Sequence, residues 1–215
     1  ICVAGTLLLV QSPINDTVLQ RLADRADQIK LGDPMEQTTQ MGPVISQAAL
    51  GRCHQFIATA RAEGARQVAG AQALALTGEF ANGYYIRPTI FADVHPDHQL
   101  FQDEVFGPVI SITRFETDEQ AVALANTGDF GLGVSIWSRD IARAHRLSRH
   151  IRGGIIWLND HHRNDPRSVW GGVKDSGFGK ENGWDALRGY LSKKSVVIRT
   201  EPGYDDWFAG SNRYG

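Results

Sequence analysis

A carboxylate and an aromatic ring stand two positions apart just before a predicted strand, where they could hold a ligand between them. They are Glu104 and Phe106, and the Gly107-Pro108 pair that follows ends any preceding helix. Residues 109–115 are rich in β-branched and aromatic types, which predicts a strand with both side chains at its entrance. The alternative is a solvated acid followed by a core phenylalanine at a turn.

Cys2 is the candidate nucleophile of the sequence. It precedes Val3-Ala4-Gly5 and then a short apolar strand. Free backbone N–H groups at such a position would stabilise a thiolate and bind an oxyanion. The alternative for a free cysteine is a small buried hydrophobe. Cys53 lies within an amphipathic helical pattern and is assigned to the core on that ground.

Helices and strands must position these groups, and the spacing of apolar residues predicts both. The predicted helices cover approximately residues 12–31, 46–63, 118–126, 140–150 and 184–191. The side chains expected to face inward from the fourth helix are those of Ile141, Ala144, Leu147 and Ile151. The predicted strands cover residues 7–11, 66–69, 84–91, 109–115, 131–137, 155–159 and 195–199.

Two strands carry further information about the sheet. Pro88 should make the strand over 84–91 an edge or an interrupted one. The continuous apolar run over 155–159 is typical of a strand buried on both faces. The alternation of strands and helices from Phe91 to Asn159 predicts an α/β fold with a largely parallel sheet flanked by helices.

Polar side chains follow the strand over 155–159. Asn159 stands at its end, and the loop after it carries His161, His162 and Trp170, a mixture that is costly to bury and should border a cleft. The glycine-rich stretch over 171–183 lacks the spacing of a P-loop and of a dinucleotide fingerprint, so we predict no phosphate cradle there. Neighbouring loop histidines without a cysteine also predict no metal site.

Composition narrows the function classes. The net charge is −2 with no Lys/Arg run, which argues against a nucleic-acid surface. No apolar run reaches the roughly 20 residues that cross a bilayer, and we predict no membrane partner. Two cysteines do not form a disulfide framework, which favours a reducing, cytoplasmic setting. The chain opens at Ile1 inside an apolar run, like a cut through a core.

Three stretches together resemble the NAD(P)-dependent aldehyde dehydrogenase superfamily over nearly the whole chain. Residues 1–6 resemble the segment around its nucleophilic cysteine, and Glu104-Val105-Phe106-Gly107-Pro108 is similar to its Glu-x-Phe-Gly-Pro signature. Residues 157–159 and 170–181 are similar to its C-terminal pattern, with Trp170 where phenylalanine is commoner. The resemblance implies an aldehyde dehydrogenase-like catalytic domain with an oligomerisation strand.

The resemblance also implies a role for each candidate residue. Cys2 would attack an aldehyde as a thiolate, giving a thiohemiacetal and then a thioester that is hydrolysed to a carboxylic acid. The cofactor would be NAD or NADP, with Glu104 bonded to ribose hydroxyls and Phe106 beside the nicotinamide. The residues expected to shape the aldehyde entrance are Asn159, His161, His162 and Trp170.

Departures from the family pattern set the remaining expectations. The family's dinucleotide-binding half lies before its nucleophile, so we expect it to be absent from this chain and the isolated chain to be inactive. We expect a catalytic domain over 1–190, an oligomerisation strand over 191–200 that joins a homo-oligomer (dimer or tetramer), and a C-terminal arm over 201–215. The alternative is a truncated, inactive module that only associates with other subunits. A thiol acyltransferase or hydrolase that uses Cys2 lacks an assigned histidine and aspartate.

Overall fold

The computed structural model describes residues 1–72, 74, 76–200 and 203. Strands and helices alternate along most of this range. The strands are β1 (Leu7–Gln11), β2 (Arg66–Ala69), β3 (Thr89–Ala92), β4 (Val109–Phe115), β5 (Phe130–Gly131), β6 (Gly133–Ile136), β7 (Ile155–Leu158) and β8 (Val173–Lys174). The α-helices are α1 (Asn15–Asp27), α2 (Gln47–Ala62), α3 (Gln99–Gln102), α4 (Asp118–Asn126), α5 (Ile141–Ser148) and α6 (Gly183–Gly189). Short 3-10 helices cover Ser12–Ile14 and Gly78–Asn82.

The main sheet has four strands in the order β1-β4-β3-β2. β1 and β3 both pair with β4 in parallel, and β2 joins β3 in antiparallel fashion at the edge. Its two faces are covered by different helices. Cys53 and Phe56 of α2 pack with Phe91 on one face, whereas Leu19 and Ala26 of α1 pack with the neighbouring strand residues on the other. Side chains alternate across a strand, so β3 supplies Phe91 to one core and the residues on either side of Phe91 to the other.

The parallel pairing of β1 with β4 brings the two segments that carry Cys2 and Glu104 to one edge of the sheet. Leu7 is in register with Ser111, and the Ser111 amide donates to the Thr6 carbonyl over 2.8 Å. The segment that carries Cys2 enters β1, and the segment that carries Glu104 enters β4. Because parallel strands begin at the same edge, both segments lie there.

The C-terminal part is built on two smaller sheets. β6 and β7 run parallel and are connected through α5, and β5 pairs antiparallel with β8. Arg143 of α5 donates to Asp118 of α4 from Nε and Nη2 over 2.8 and 2.5 Å, which ties the two helices together. The hydrogen bond from Arg143 lowers the pKa of Asp118, so the pair contributes stability that is lost as pH falls through the folded-state pKa.

The predicted strand over 84–91 was wrong in extent and position. Only Thr89–Ala92 forms β3, which lies between β4 and β2 with all four residues buried. Pro88 precedes the first strand residue, where its missing N–H interrupts no ladder hydrogen bond, so it does not force the strand to the edge.

Burial of the C-terminal elements also differs from expectation. Ile141 was expected to face inward but is 52% exposed, and only Ala144 of α5 is buried. β7 is mostly half-buried, with Trp157 alone fully buried, because β6 is its single sheet partner among the described residues. The predicted strand over 131–137 is split at Leu132 into β5 and β6, and α6 ends two residues earlier than expected.

The predicted oligomerisation strand has no secondary structure in this chain. Residues 192–200 are exposed, and Val196, Val197 and Ile198 are 72%, 92% and 75% exposed. Its role in assembly stays a prediction. The C-terminal arm over 201–215 lies outside the described residues apart from Gly203. None of the described helices combines the length and hydropathy that a membrane span requires.

Candidate active site

Cys2 occupies an exposed turn at the entrance to β1. The Ala4 amide donates to the Ile1 carbonyl over 3.0 Å, which closes a turn with Cys2 and Val3 at its centre. Among the described residues, the backbone N–H groups of Cys2 and Val3 have no acceptor. An exposed thiol beside two free backbone donors is suited to nucleophilic attack on a carbonyl and to binding the oxyanion that results.

Val3 anchors the Cys2 turn to the smaller parallel sheet. Val3 is only 4% exposed. A Cβ atom on Gly133 of β6 would lie 2.9 Å from the Trp157 indole and 3.4 Å from Val3 Cγ1, so the turn, β6 and β7 approach closely at this point. Close packing of this kind restrains the turn more than its single hydrogen bond does, because packed side chains have little room to move.

Glu104 and Phe106 lie at the entrance to β4, as the sequence predicts. Both side chains are exposed, whereas Val105 between them is buried. Glu104 has no hydrogen bond or ion pair to the part of the chain that the structure describes. Phe106 has φ +54°, a conformation that non-glycine residues rarely adopt and that often marks a ligand contact.

This turn fits a ligand with hydroxyl groups and a flat ring. The free carboxylate of Glu104 can accept hydrogen bonds from hydroxyls, and the half-exposed ring of Phe106 offers a face for packing. A nicotinamide riboside presents both features. The residues present therefore fit the nicotinamide end of a dinucleotide cofactor.

Asn159 ends β7 and has both polar side-chain atoms engaged. Its Oδ1 accepts from the Ser138 amide and its Nδ2 donates to the Ser138 carbonyl, each over 2.8 Å. The residue has φ +53°. These bonds join the ends of β6 and β7, which starts the following loop in a fixed direction. The role of Asn159 in this arrangement is to position that loop.

His161 lies next to the nucleophile segment. A Cβ on Gly5 would be 4.0 Å from His161 Cε1, and the Ser135 hydroxyl is 2.8 Å from His161 Nδ1. The His161 ring also packs edge-on against Trp157 with centroids 5.4 Å apart. Ser135 and Trp157 thus hold an imidazole beside the turn of Cys2.

His162 follows with a strained backbone, φ +61°, and its ring centroid lies 6.2 Å from that of His161. Both histidines are exposed. The pair therefore offers two adjacent rings at the mouth of the site, where an incoming molecule can contact them.

Trp170 lines a separate cavity of about 190 Å³ at the end of the same loop. Its backbone exchanges two 2.7 Å hydrogen bonds with Glu181. The indole Nε1 is buried and finds no acceptor among the described residues. An unpaired buried donor is costly, so the cavity is suited to a ligand that packs against this ring and supplies an acceptor.

An open cleft of about 580 Å³ adjoins that cavity, and the two share Trp157, Arg163, Asn164 and Asp165. The cleft is lined by Trp157, Asp160, Arg163, Asn164, Asp165, Pro166 and Arg167. Trp157 Nε1 donates to the Arg163 carbonyl over 2.8 Å, which holds the loop against β7.

Sequence reasoning missed three residues of this site, Ser135, Ser138 and Trp157. Ser135 and Ser138 contact loop residues that are more than 20 positions away, and no local pattern signals such a contact. Trp157 was assigned to a strand, and its apolar neighbours gave no sign that it borders two cavities.

Comparison with known proteins finds relatives that match most of this chain. Betaine aldehyde dehydrogenase of Cereibacter sphaeroides is 43% identical over 202 residues, which are 94% of this chain and 41% of that protein. Acetaldehyde dehydrogenase 2 of Cupriavidus necator is 37% identical over 94% of this chain and 40% of its own length. The chain thus spans about two fifths of the length of the curated relatives it matches.

Solved structures show the same fold. The structure of betaine aldehyde dehydrogenase from Staphylococcus aureus in complex with NAD+ has a TM-score of 0.89 at 36% identity, over 98% of this chain and 42% of that chain. A double mutant of the same enzyme, also with NAD+, has a TM-score of 0.91. The predicted α/β fold with a mainly parallel sheet is confirmed. The sequence model of the aldehyde dehydrogenase family matches residues 1–196, and this chain therefore belongs to that family.

Proposed function

We propose that this chain forms the nucleophile-bearing part of an enzyme that oxidises an aldehyde to a carboxylic acid. The observation that carries the proposal is the common location of the exposed Cys2 turn and the Glu104/Phe106 turn at one edge of the main sheet. One turn suits attack on a carbonyl, and the other suits a nicotinamide riboside. In the proposed domain division, residues 1–190 are the catalytic domain.

Cys2 supplies the covalent chemistry. Its thiolate sulfur forms a bond to the aldehyde carbon while the C=O π electrons move to oxygen, and the free N–H groups of Cys2 and Val3 bind the resulting oxyanion. A bound nicotinamide would accept the hydride that this carbon loses, and loss of that hydride leaves the carbon joined to Cys2 as a thioester. Water then breaks the C–S bond of the Cys2 thioester, which releases a carboxylic acid and returns the thiol.

The cofactor we propose is NAD, with NADP as the alternative. Solved relatives in complex with NAD+ support this choice, as do the free carboxylate of Glu104 and the exposed ring of Phe106. In this proposal Glu104 accepts hydrogen bonds from the ribose hydroxyls. Phe106 packs beside the nicotinamide ring.

The aldehyde we propose is bulky and carries an aromatic or a cationic group. His161, His162 and Trp170 present three rings along one loop, which favours stacking and cation–π contacts. Betaine aldehyde, which gives several relatives their name, carries such a cation. Asn159 acts through its two bonds to Ser138 and holds the loop in place.

The test is aldehyde-dependent formation of NADH by the complete protein that carries this chain. Betaine aldehyde, benzaldehyde and propanal are compared, each with NAD and with NADP. Turnover with at least one aldehyde, accompanied by stoichiometric release of carboxylic acid, is the expected result. Absence of NADH and NADPH with all three would contradict the proposal.

Trp170→Ala should separate bulky from small aldehydes. Loss of one stacking or cation–π contact costs on the order of 1 kcal/mol, so KM should rise about fivefold to tenfold for betaine aldehyde and benzaldehyde. KM for propanal should change by less than about twofold, since a short aliphatic chain makes little contact with the ring. Steady-state kinetics on the complete protein measure both. Trp184→Ala is the matched control, because Trp184 is 75% exposed on α6. Equal effects on all three aldehydes would remove Trp170 from the pocket.

Glu104→Gln should weaken cofactor handling while the nucleophile stays intact. A hydrogen bond to a charged acceptor contributes about 1.5–3 kcal/mol, so KM for NAD should rise about tenfold or more. Alkylation of Cys2 by iodoacetamide should proceed at the wild-type rate. Glu119→Gln, an exposed acid on α4, serves as the control for the charge change. If alkylation of Cys2 slows while KM for NAD is unchanged, Glu104 acts on the Cys2 thiol and not on the cofactor.

A second candidate function is a module that only associates with other subunits, and the exposed run Val196–Val197–Ile198 favours it. In both candidates we propose that this segment completes a sheet in a homo-oligomer, a dimer or tetramer. Val197→Asp should dissociate the assembly in native mass spectrometry. Ile45→Asp alters an equally exposed apolar residue elsewhere and should not. An unchanged mass for Val197→Asp would reject the assembly role of this segment.

A further inference from the structure

The turn that carries Glu104 and Phe106 lies directly on helix α2. Gly107 ends this turn, and a Cβ atom on Gly107 would overlap Cys53 Sγ of the helix. The other close atoms are Val105 Cγ1 at 3.7 Å and Cys53 Cβ at 3.9 Å. The backbone of the turn therefore approaches α2 as closely as a glycine allows, and Cys53 is the side chain that it meets.

Cys53 fills a closed position in the core. It is 0% exposed and belongs to the core cluster that also contains Phe56, Val105 and Val109. Burial raises the pKa of its thiol, so the group stays neutral and packs as a small apolar side chain. A residue enclosed in this way has no room to move aside, because protein interiors are close-packed.

Helix α2 also holds the start of the same turn. Glu63 follows α2 directly. Both of its carboxylate oxygens accept from the backbone N–H of Gln99, over 3.1 and 3.2 Å. Gln99 begins α3, and α3 ends at Gln102, two residues before Glu104. Cys53 and Glu63 are ten positions apart, about 15 Å along the helix. The helix thus contacts the segment both before and after Glu104 and Phe106.

The conformation of the turn requires such support. Phe106 has φ +54° with its ring 52% exposed, so its own side chain buries little against the protein. A non-glycine residue keeps this conformation only where surrounding contacts impose it. The neighbours Val105 and Gly107 supply those contacts: Val105 is buried in the core cluster of Cys53, and the half-buried Gly107 lies against the Cys53 side chain.

We propose that Cys53 is a positioning residue for the cofactor turn: the volume of its side chain sets the place of Gly107 and thereby of Glu104 and Phe106. The effect of Cys53 on cofactor affinity rests on the function proposed above. Its effect on the position of the turn does not. A larger residue at position 53 displaces the turn, and a residue of cysteine's size keeps it in place.

The experiment compares Cys53→Leu and Cys53→Ser with wild type in the complete protein. Hydrogen exchange of the Asp103 and Val109 amides reports the turn itself, because they donate to the Gln99 and Gly107 carbonyls on either side of Glu104 and Phe106. KM values for NAD and for the aldehyde report the use of the turn. Cys53→Leu should raise exchange at these two amides and increase KM for NAD, each by about tenfold, with KM for the aldehyde within about twofold. Cys53→Ser keeps a second side-chain heavy atom in the place of Sγ, so both values should stay within about threefold of wild type.

Ala26→Leu is the matched control. Ala26 is 7% exposed and packs in the core on the opposite face of the sheet, so its enlargement strains the fold without touching the turn. If exchange at Asp103 and Val109 stays at the wild-type rate in Cys53→Leu, or rises equally in Ala26→Leu, the inference is overturned. Where Cys53→Leu does not fold, Cys53→Ala removes the contact instead, and unchanged exchange in that variant likewise overturns it.

The two proposals fail in different ways. If the turn loosens in Cys53→Leu but even the wild type forms no NADH, the positioning role is supported and the proposed function is contradicted. If the wild type turns over normally and Cys53→Leu loosens the turn without changing KM for NAD, Glu104 and Phe106 are not part of the cofactor site. Normal turnover with an unaltered turn contradicts only the inference about Cys53.

Discussion

Replacing Cys2 with alanine is expected to abolish aldehyde oxidation in the complete protein, with kcat lower by about a thousandfold or more. Alanine cannot form the C–S bond, and among the described residues the other cysteine is fully buried within α2. Turnover should fall without a change in NAD binding, because the Glu104/Phe106 turn enters a different strand. Initial rates of NADH formation and a direct NAD titration measure the two quantities separately.

Alkylation supplies the control for this prediction. Iodoacetamide should modify Cys2 rapidly and Cys53 only on unfolding, because Cys2 is exposed and Cys53 is 0% exposed. The rapid modification should inactivate the wild-type protein and be absent from Cys2→Ala. If Cys2→Ala keeps more than about a tenth of wild-type turnover, the covalent role of Cys2 is wrong.

Local patterns predicted the elements that carry the main sheet. The β-branched run over 109–115 forms β4 with the expected bounds, and helical spacing placed α2 to within a residue or so. Glu104 and Phe106 stand at the entrance of that strand as predicted, although α3 already ends at Gln102 and Gly107-Pro108 only separates the two residues from β4. Such features depend on the period of apolar residues and on turn chemistry, both of which are written within a few positions.

Contacts between distant segments could not be predicted in the same way. The bond of Ser135 to His161 and the closeness of Gly107 to Cys53 arise from the order in which strands and helices assemble. β3 was misplaced for this reason as well: Pro88 is a local signal, whereas the central position of the strand follows from its pairing with both β2 and β4. The segment over 195–199 has the composition of a strand but pairs with no other strand among the described residues.

Glycines at close approaches explain how the loop that carries Trp170 is held. Gly154 at the start of β7 donates its amide to the Gly131 carbonyl over 3.1 Å, and a Cβ atom on Gly154 would overlap the carbonyl oxygen of Gly171. The Cβ added to Gly154 would also lie 3.0 Å from Gly172 Cα. The backbone next to Trp170 therefore rests directly on the backbone of β7. The position of the indole depends on the absence of a side chain at Gly154.

Gly154→Ala should accordingly destabilise the protein by about 3 kcal/mol, because a backbone carbonyl cannot move aside as a flexible side chain can. The displaced turn should also raise KM for bulky aldehydes, as loss of the Trp170 ring does. Denaturant unfolding and the kinetics used for Trp170→Ala measure the two effects. Gly51→Ala in α2 is the control: nothing lies within 4 Å of its added methyl group, and helix propensity favours alanine by up to about 1 kcal/mol. If the two substitutions change stability alike, the contact between Gly154 and Gly171 does not hold the loop. If Gly154→Ala lowers stability but leaves KM for betaine aldehyde unchanged, the loop is held there but Trp170 does not contact the substrate.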